Sequence, residues 1–108
     1  MREFDIERRR MALRGRILTA TEIPNLYYQP PESVKLSYPC IIYSLGGVET
    51  AHANNCPYWT ALKFDLLLID KDPSSVYAGR LFDGLCGCKL TRAYAADNLN
   101  HWAFSIYL

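Results

Sequence analysis

Several features that point to familiar chemistry are missing from this sequence of 108 residues. It has only two histidines, and it contains no phosphate-binding glycine loop, no dinucleotide fingerprint and no Gly-x-Ser-x-Gly motif. No run of about 18 apolar residues occurs, and the first residues lack the apolar segment of a signal peptide. The sequence therefore predicts a protein that is not an enzyme, does not span a membrane and stays in the cytoplasm.

Net charge is also small, at +1, but it is unevenly distributed along the chain. Residues 1–18 are basic and the remainder is slightly acidic, and the segment ERRRMALRGR at 7–16 holds most of the excess arginine. On a helix these arginines surround the axis instead of lining one side, which favours a solvated or subunit-facing helix. A small nucleic-acid-binding protein that uses this arginine-rich helix is an alternative.

Paired metal-ligand motifs are absent as well. The nearest approach to a metal set consists of Cys86 and Cys88, at Cys-x-Cys spacing, with Cys56, His52 and His101. A structural zinc site normally has a second pair of ligands, and none is present. Because cytoplasmic thiols stay reduced, the four cysteines are interpreted as small buried side chains and not as disulfide partners. These are Cys40, Cys56, Cys86 and Cys88. No cofactor or metal is predicted.

Two helices are predicted from the spacing of apolar residues. The first runs from Phe4 to about Ala20, and its apolar positions form two stripes. One stripe contains Phe4, Met11 and Leu18, and the other contains Ile6, Leu13 and Ile17. The second helix follows DKDPSS, with Asp72 as the N-cap and Pro73 in the first turn, and ends near Leu85. Its predicted inner face consists of Val76, Tyr77, Leu81 and Leu85.

Five segments have the composition or alternation of strands. They are residues 25–29, 38–45, 58–69, 86–94 and 101–108. In the fourth, Cys88 and Leu90 are expected to point inward. The polar stretch from Gly46 to Pro57 is rich in turn residues and is expected to form the tip of a long hairpin.

This order, α-β-β-β-α-β-β, predicts an α+β fold in two layers. A mainly antiparallel sheet of about five strands would carry two helices on one side. The whole chain, residues 1–108, is expected to form one domain, with an N-terminal helix at 1–20 and the sheet and second helix at 21–108.

Three segments carry a resemblance to a known family. YPCIIYSLGG at 38–47, LIDKDPSS at 68–75 and YAADNLNHWAFSIY at 94–107 occur in this order. Together they resemble the tail completion or tail terminator proteins of long-tailed bacteriophages, which join head and tail at the neck. The resemblance covers the chain from the first strand to its end and leaves the N-terminal helix poorly constrained.

The resemblance implies a structural virion protein that forms a ring, usually of six subunits, at the head-proximal end of the tail. Such a ring terminates the tail tube and offers a surface to the head connector. The implied partners are copies of the same chain, the major tail protein and a connector or neck protein, with weak contact to DNA in the lumen. Assembly would take place in the host cytoplasm.

Candidate contact residues are placed in the arginine-rich helix and in the predicted hairpin tip. They are Arg8, Arg9, Arg16, Glu49, His52, Asn54, Asn55 and Tyr58. A different neck component, such as a connector ring bound near the portal, remains an alternative within the same class.

Overall fold

The computed structural model describes residues 6–31, 33, 35–53, 56–85 and 87–107, and it describes side chains outside residues 49–60. Two α-helices and five β-strands occur in the predicted order. They are α1 (Ile6–Thr21), β1 (Leu26–Tyr28), β2 (Cys40–Ala53), β3 (Cys56–Asp70), α2 (Val76–Gly84), β4 (Lys89–Ala96) and β5 (Leu99–Tyr107). The α+β class predicted from the sequence is confirmed.

The five strands form a single sheet in the order β1-β2-β3-β5-β4. Strand β1 pairs with β2 in parallel, and the other three pairings are antiparallel. The central strand β3 therefore lies between β2 and β5, and three residues of its apolar run are buried, namely Leu66, Leu68 and Ile69.

The core lies between one face of this sheet and the two helices. Because side chains alternate along a strand, the pairing places Tyr43, Leu66 and Phe104 in one row across β2, β3 and β5. Helix α1 contributes Leu13 and Ile17 to the core, and both are fully buried. The complete buried cluster also contains Ile23, Leu26, Ile41, Leu62, Phe64, Leu68, Leu81, Leu85 and Ile106.

The two apolar stripes predicted for α1 have different fates. The stripe containing Leu13 and Ile17 faces the core, whereas Met11 of the other stripe is 50% exposed. Leu18 is half-buried at the edge of the core. Phe4 lies outside the described residues. In the stripe that contains Met11 and Leu18, one side chain thus lies at the edge of the core and the other is exposed to solvent.

The predicted start of α2 was wrong. Ser75 is the N-cap, and its hydroxyl accepts a hydrogen bond from the Tyr77 amide at 3.3 Å. The Asp72 carboxylate instead accepts from the Ser74 amide at 2.8 Å, which stabilises the turn before the helix. Because the helix starts at Val76, that side chain lies in the first turn and is 59% exposed instead of facing inward.

Strands β4 and β5 are joined by a two-residue turn. Asp97 and Asn98 have positive φ angles of 53° and 62°, as a hairpin turn that follows the twist of its strands requires. Strand β4 lies at the edge of the sheet, and all eight of its residues are exposed. Leu90 pairs with Phe104, so its side chain lies on the core face of the sheet as predicted, although at the sheet margin it is 44% exposed.

Candidate functional site

A two-stranded arm extends from the sheet and contains three of the eight predicted contact positions. Strand β1 pairs with β2 only at residues 41–43, and β5 pairs with β3 only from Lys63 to Asp70. Beyond Lys63, β2 and β3 pair with each other as far as Ala53 and Cys56. We call residues 47–53 and 56–62 the arm. At about 3.3 Å per residue it is about 20 Å long.

The prediction that residues 46–57 form a polar hairpin tip was wrong for most of its length. Strand β2 continues to Ala53 and β3 begins at Cys56, so both sides of the arm are regular strand. The pairing is interrupted by register shifts between Leu45 and Gly47 and between Ala51 and His52. The molecule is correspondingly long, measuring 51 × 30 × 24 Å.

Gly46 marks the base of the arm, where the pairing of β2 with β3 shifts by one residue. A β-carbon at this position would collide with the carboxylate of Asp65. The Asp65 carboxylate is half-exposed and flexible, so a larger residue at position 46 would have to displace it and disturb its ion pair with Lys63. The neighbouring ion pair between Lys63 and Asp65, at 3.8 Å, is solvent-exposed and contributes little to stability.

The structure distributes the predicted contact residues between the arm and α1. The strands of the arm contain Glu49, His52 and Tyr58. The structure does not describe Asn54 and Asn55. The three arginines lie on α1, which packs against α2. They are Arg8, Arg9 and Arg16.

Arg16 lines a shallow groove between the two helices. The groove has a volume of about 570 Å³ and is otherwise lined mainly by small residues. These are Ala12, Gly15, Thr19, Ala20 and Gly84. Arg10, by contrast, is held within the molecule, since its guanidinium lies 4.8 Å from the centre of the Tyr28 ring and 3.7 Å from the Glu7 carboxylate. Arg10 and Arg16 therefore have different surroundings.

An aromatic stack that the sequence analysis missed lies on β4 and β5. The rings of Tyr94 and His101 are 4.7 Å apart and nearly parallel, at 5°. The guanidinium of Arg92 lies 4.5 Å from the centre of the Tyr94 ring. The turn at Asp97 and Asn98 is the signal that could have revealed this pair, because a two-residue turn places Tyr94 directly opposite His101.

The two cysteines whose side chains are described are reduced thiols. Cys40 is fully buried, which confirms its interpretation as a packing residue, and Cys88 is half-buried against the core. Burial raises the pKa of both thiols to about 11, because the thiolate loses its hydration. Both therefore stay protonated near neutral pH. The structure does not describe the side chains of Cys56 and Cys86.

The acidic residues and cysteines do not assemble into a metal site in the part of the chain that the structure describes. Within that part, no three His, Cys, Asp or Glu side chains come close enough together to hold a metal ion. The buried carboxylate of Asp70 accepts a hydrogen bond from the Asp72 amide at 3.2 Å, so it belongs to the turn before α2.

No protein-family description matches the chain, and no curated protein matches it significantly. Neither described helix is long and apolar enough to cross a membrane.

Proposed function

We propose that this chain is a structural subunit of a bacteriophage neck. In this proposal, copies of the chain form a hexameric ring at the head-proximal end of the tail. The ring terminates the tail tube and joins it to the head connector. It has no catalytic role and no cofactor, and its location is the virion.

The arm is the observation that carries this proposal. A two-stranded hairpin is marginally stable in water unless a third strand or another surface packs against it. Here about 20 Å of paired strand extends past the last described strand partner, Lys63 with Tyr107, and Ala61 and Leu62 at its base are buried within the chain. A segment of this kind is stabilised when it packs on a neighbouring subunit or on the tail tube, which a ring provides.

The sequence supports the same assignment through the three segments that resemble tail terminator proteins. Two of these segments coincide with strands of the sheet. Residues 38–47 include the first part of β2, which leads to the arm, and residues 94–107 contain the end of β4, the turn and β5. The arginine side chains of α1 are positively charged and can make weak contacts with DNA that passes through the lumen.

Complementation in infected cells tests the proposal. In a phage whose copy of the gene is disrupted, we expect filled heads beside unjoined tails, some of irregular length, in electron micrographs. The wild-type chain should restore joined virions. A chain in which residues 50–60 are replaced by an Asn-Gly turn joins Glu49 to Ala61, which are paired in the hairpin. It should fold, as judged by circular dichroism, and fail to restore them.

Three outcomes would contradict this assignment. Normal joined virions without the gene would exclude a role in joining. Heads that never fill, with sound tails, would indicate a connector ring near the portal. Tight binding of the purified chain to duplex DNA near physiological salt, with a steep salt dependence, would favour the nucleic-acid-binding alternative.

A further inference from the structure

Strand β4 presents an edge that nothing in the described structure covers. It is the last strand in the sheet order, and the described part of the chain provides no strand beyond it. All eight residues from Lys89 to Ala96 are exposed, including Leu90 at 44% and Tyr94 at 36%. An exposed edge strand of this length has unpaired backbone groups and is a template for another strand.

The arm of the same molecule cannot pair with this edge. Strands β3 and β5 lie between β2 and β4, so the two edges are about 14 Å apart across the sheet. The arm also extends beyond Lys63, whereas β4 lies level with the part of β3 from Asp65 to Asp70. Among the described residues, no strand of the same chain is therefore in a position to cover β4.

The arm and β4 have complementary composition. Strand β4 contains Lys89 and Arg92 and no acidic residue, and residues 47–62 contain one acidic residue, Glu49, and no lysine or arginine. Opposite charges on paired strands stabilise the pairing. Of the two sides of the arm, Gly47–Ala53 contains no proline, whereas the β3 side contains Pro57, which has no amide hydrogen to donate.

We propose that the β2 side of the arm of one subunit pairs with strand β4 of a second copy of this chain. The sheet then continues from each subunit into the next. Because the arm and β4 are different patches, the contact is head-to-tail, and it closes into a ring when the rotation between subunits permits. This inference rests on the proposed ring and identifies the surfaces that build it.

Zero-length cross-linking between isotopically distinct copies tests the contact. Unlabelled and ¹⁵N-labelled chains are mixed at protein concentrations up to about 1 mM. At this concentration a dimer with a binding free energy of only about −4 kcal/mol is still detectable. A carbodiimide then couples carboxylates to nearby lysine amines. We expect peptides that join Glu49 of one copy to Lys89 of another, or to position 92 in the R92K variant. The E49Q variant should lose these peptides.

Charge reversal provides a second, independent measurement. In sedimentation equilibrium, R92E should weaken self-association about tenfold by replacing an attraction with a repulsion, and E49K combined with R92E should restore it. Lys35 is exposed and outside both surfaces, so K35E is the matched control and should leave association unchanged. Thermal unfolding of each variant checks that the monomer is intact.

Oligomers whose cross-links avoid β4 would overturn the inference, as would equal association of R92E and the wild type. A chain that stays monomeric at about 1 mM would also overturn it. None of these results would contradict the proposed ring, because the tail tube can supply other contacts. Normal joined virions in the infection experiment without the gene would contradict the ring itself.

Discussion

The packing of α1 against α2 depends on the absence of a side chain at Gly84. A β-carbon added to Gly84 would lie 2.7 Å from the β-carbon of Ala20 and 3.4 Å from its α-carbon. Carbon atoms in contact are normally about 3.5–4.0 Å apart, so the shortfall is about 1 Å. Both β-carbons are fixed to helix backbones. The overlap can be relieved only if the helices move apart.

We expect the G84A variant to be less stable than the wild type by about 1–2 kcal/mol. Overpacking of this kind costs about 1–3 kcal/mol, and the better helix propensity of alanine offsets less than about 1 kcal/mol at the last residue of α2. Gly79 lies in the same helix with no atom within 4 Å of an added β-carbon. The G79A control should therefore raise stability by about 0.5–1 kcal/mol.

Urea unfolding, followed by circular dichroism, measures both changes, and the A20G variant makes the comparison specific. Removing the β-carbon of Ala20 abolishes the predicted overlap, so G84A should cost about 1–2 kcal/mol less in an A20G background than in the wild type. If G84A is as stable as G79A, or if A20G does not relieve its cost, the helices are not in the contact described here.

Two further changes test the interior and the start of α2. Burial raises the pKa of the Cys40 thiol from 9.0 to about 11, so its thiolate fraction at pH 8 is about 100-fold smaller than that of an unperturbed thiol. We expect its reaction with iodoacetamide at pH 8 to be slower by about the same factor, as measured by peptide mass spectrometry. Because the folded chain keeps this proton while the unfolded chain releases it, the free energy of unfolding should fall between pH 9 and pH 11, and less steeply in C40A. S75A should lose about 1 kcal/mol of stability in urea unfolding through loss of the N-cap, whereas an equal loss in S74A would contradict this assignment.

The elements that were predicted well are those whose burial imposes a regular pattern. In β3, alternate residues from Leu62 to Leu68 are buried, and the alternation is visible in the sequence. In α1, the spacing of Leu13 and Ile17 follows the buried side of the helix. The β4–β5 hairpin was recognisable because Asp97 and Asn98 tolerate the positive φ angles of a tight turn.

The start of α2 was harder to place because DKDPSS contains several residues that can cap a helix. Asp72 and Ser75 both have side chains that accept hydrogen bonds from backbone amides two residues ahead. Local chemistry does not distinguish an N-cap from a turn stabilised by aspartate. The choice depends on where Leu81 and Leu85 must lie to reach the core, which is a property of the whole fold.

The arm was the least predictable element, for a reason that bears on function. Alternation appears in a sequence when one face of a strand is buried within the same chain. At the base of the arm Ala61 and Leu62 are buried within the chain, whereas Val48 on the opposite strand is 46% exposed. Beyond Lys63 the two strands pair only with each other in the described structure. A strand that is completed by a second subunit has its burial determined by that subunit. The arm, where the pattern gave least guidance, is thus one of the two surfaces that the proposed subunit contact would cover.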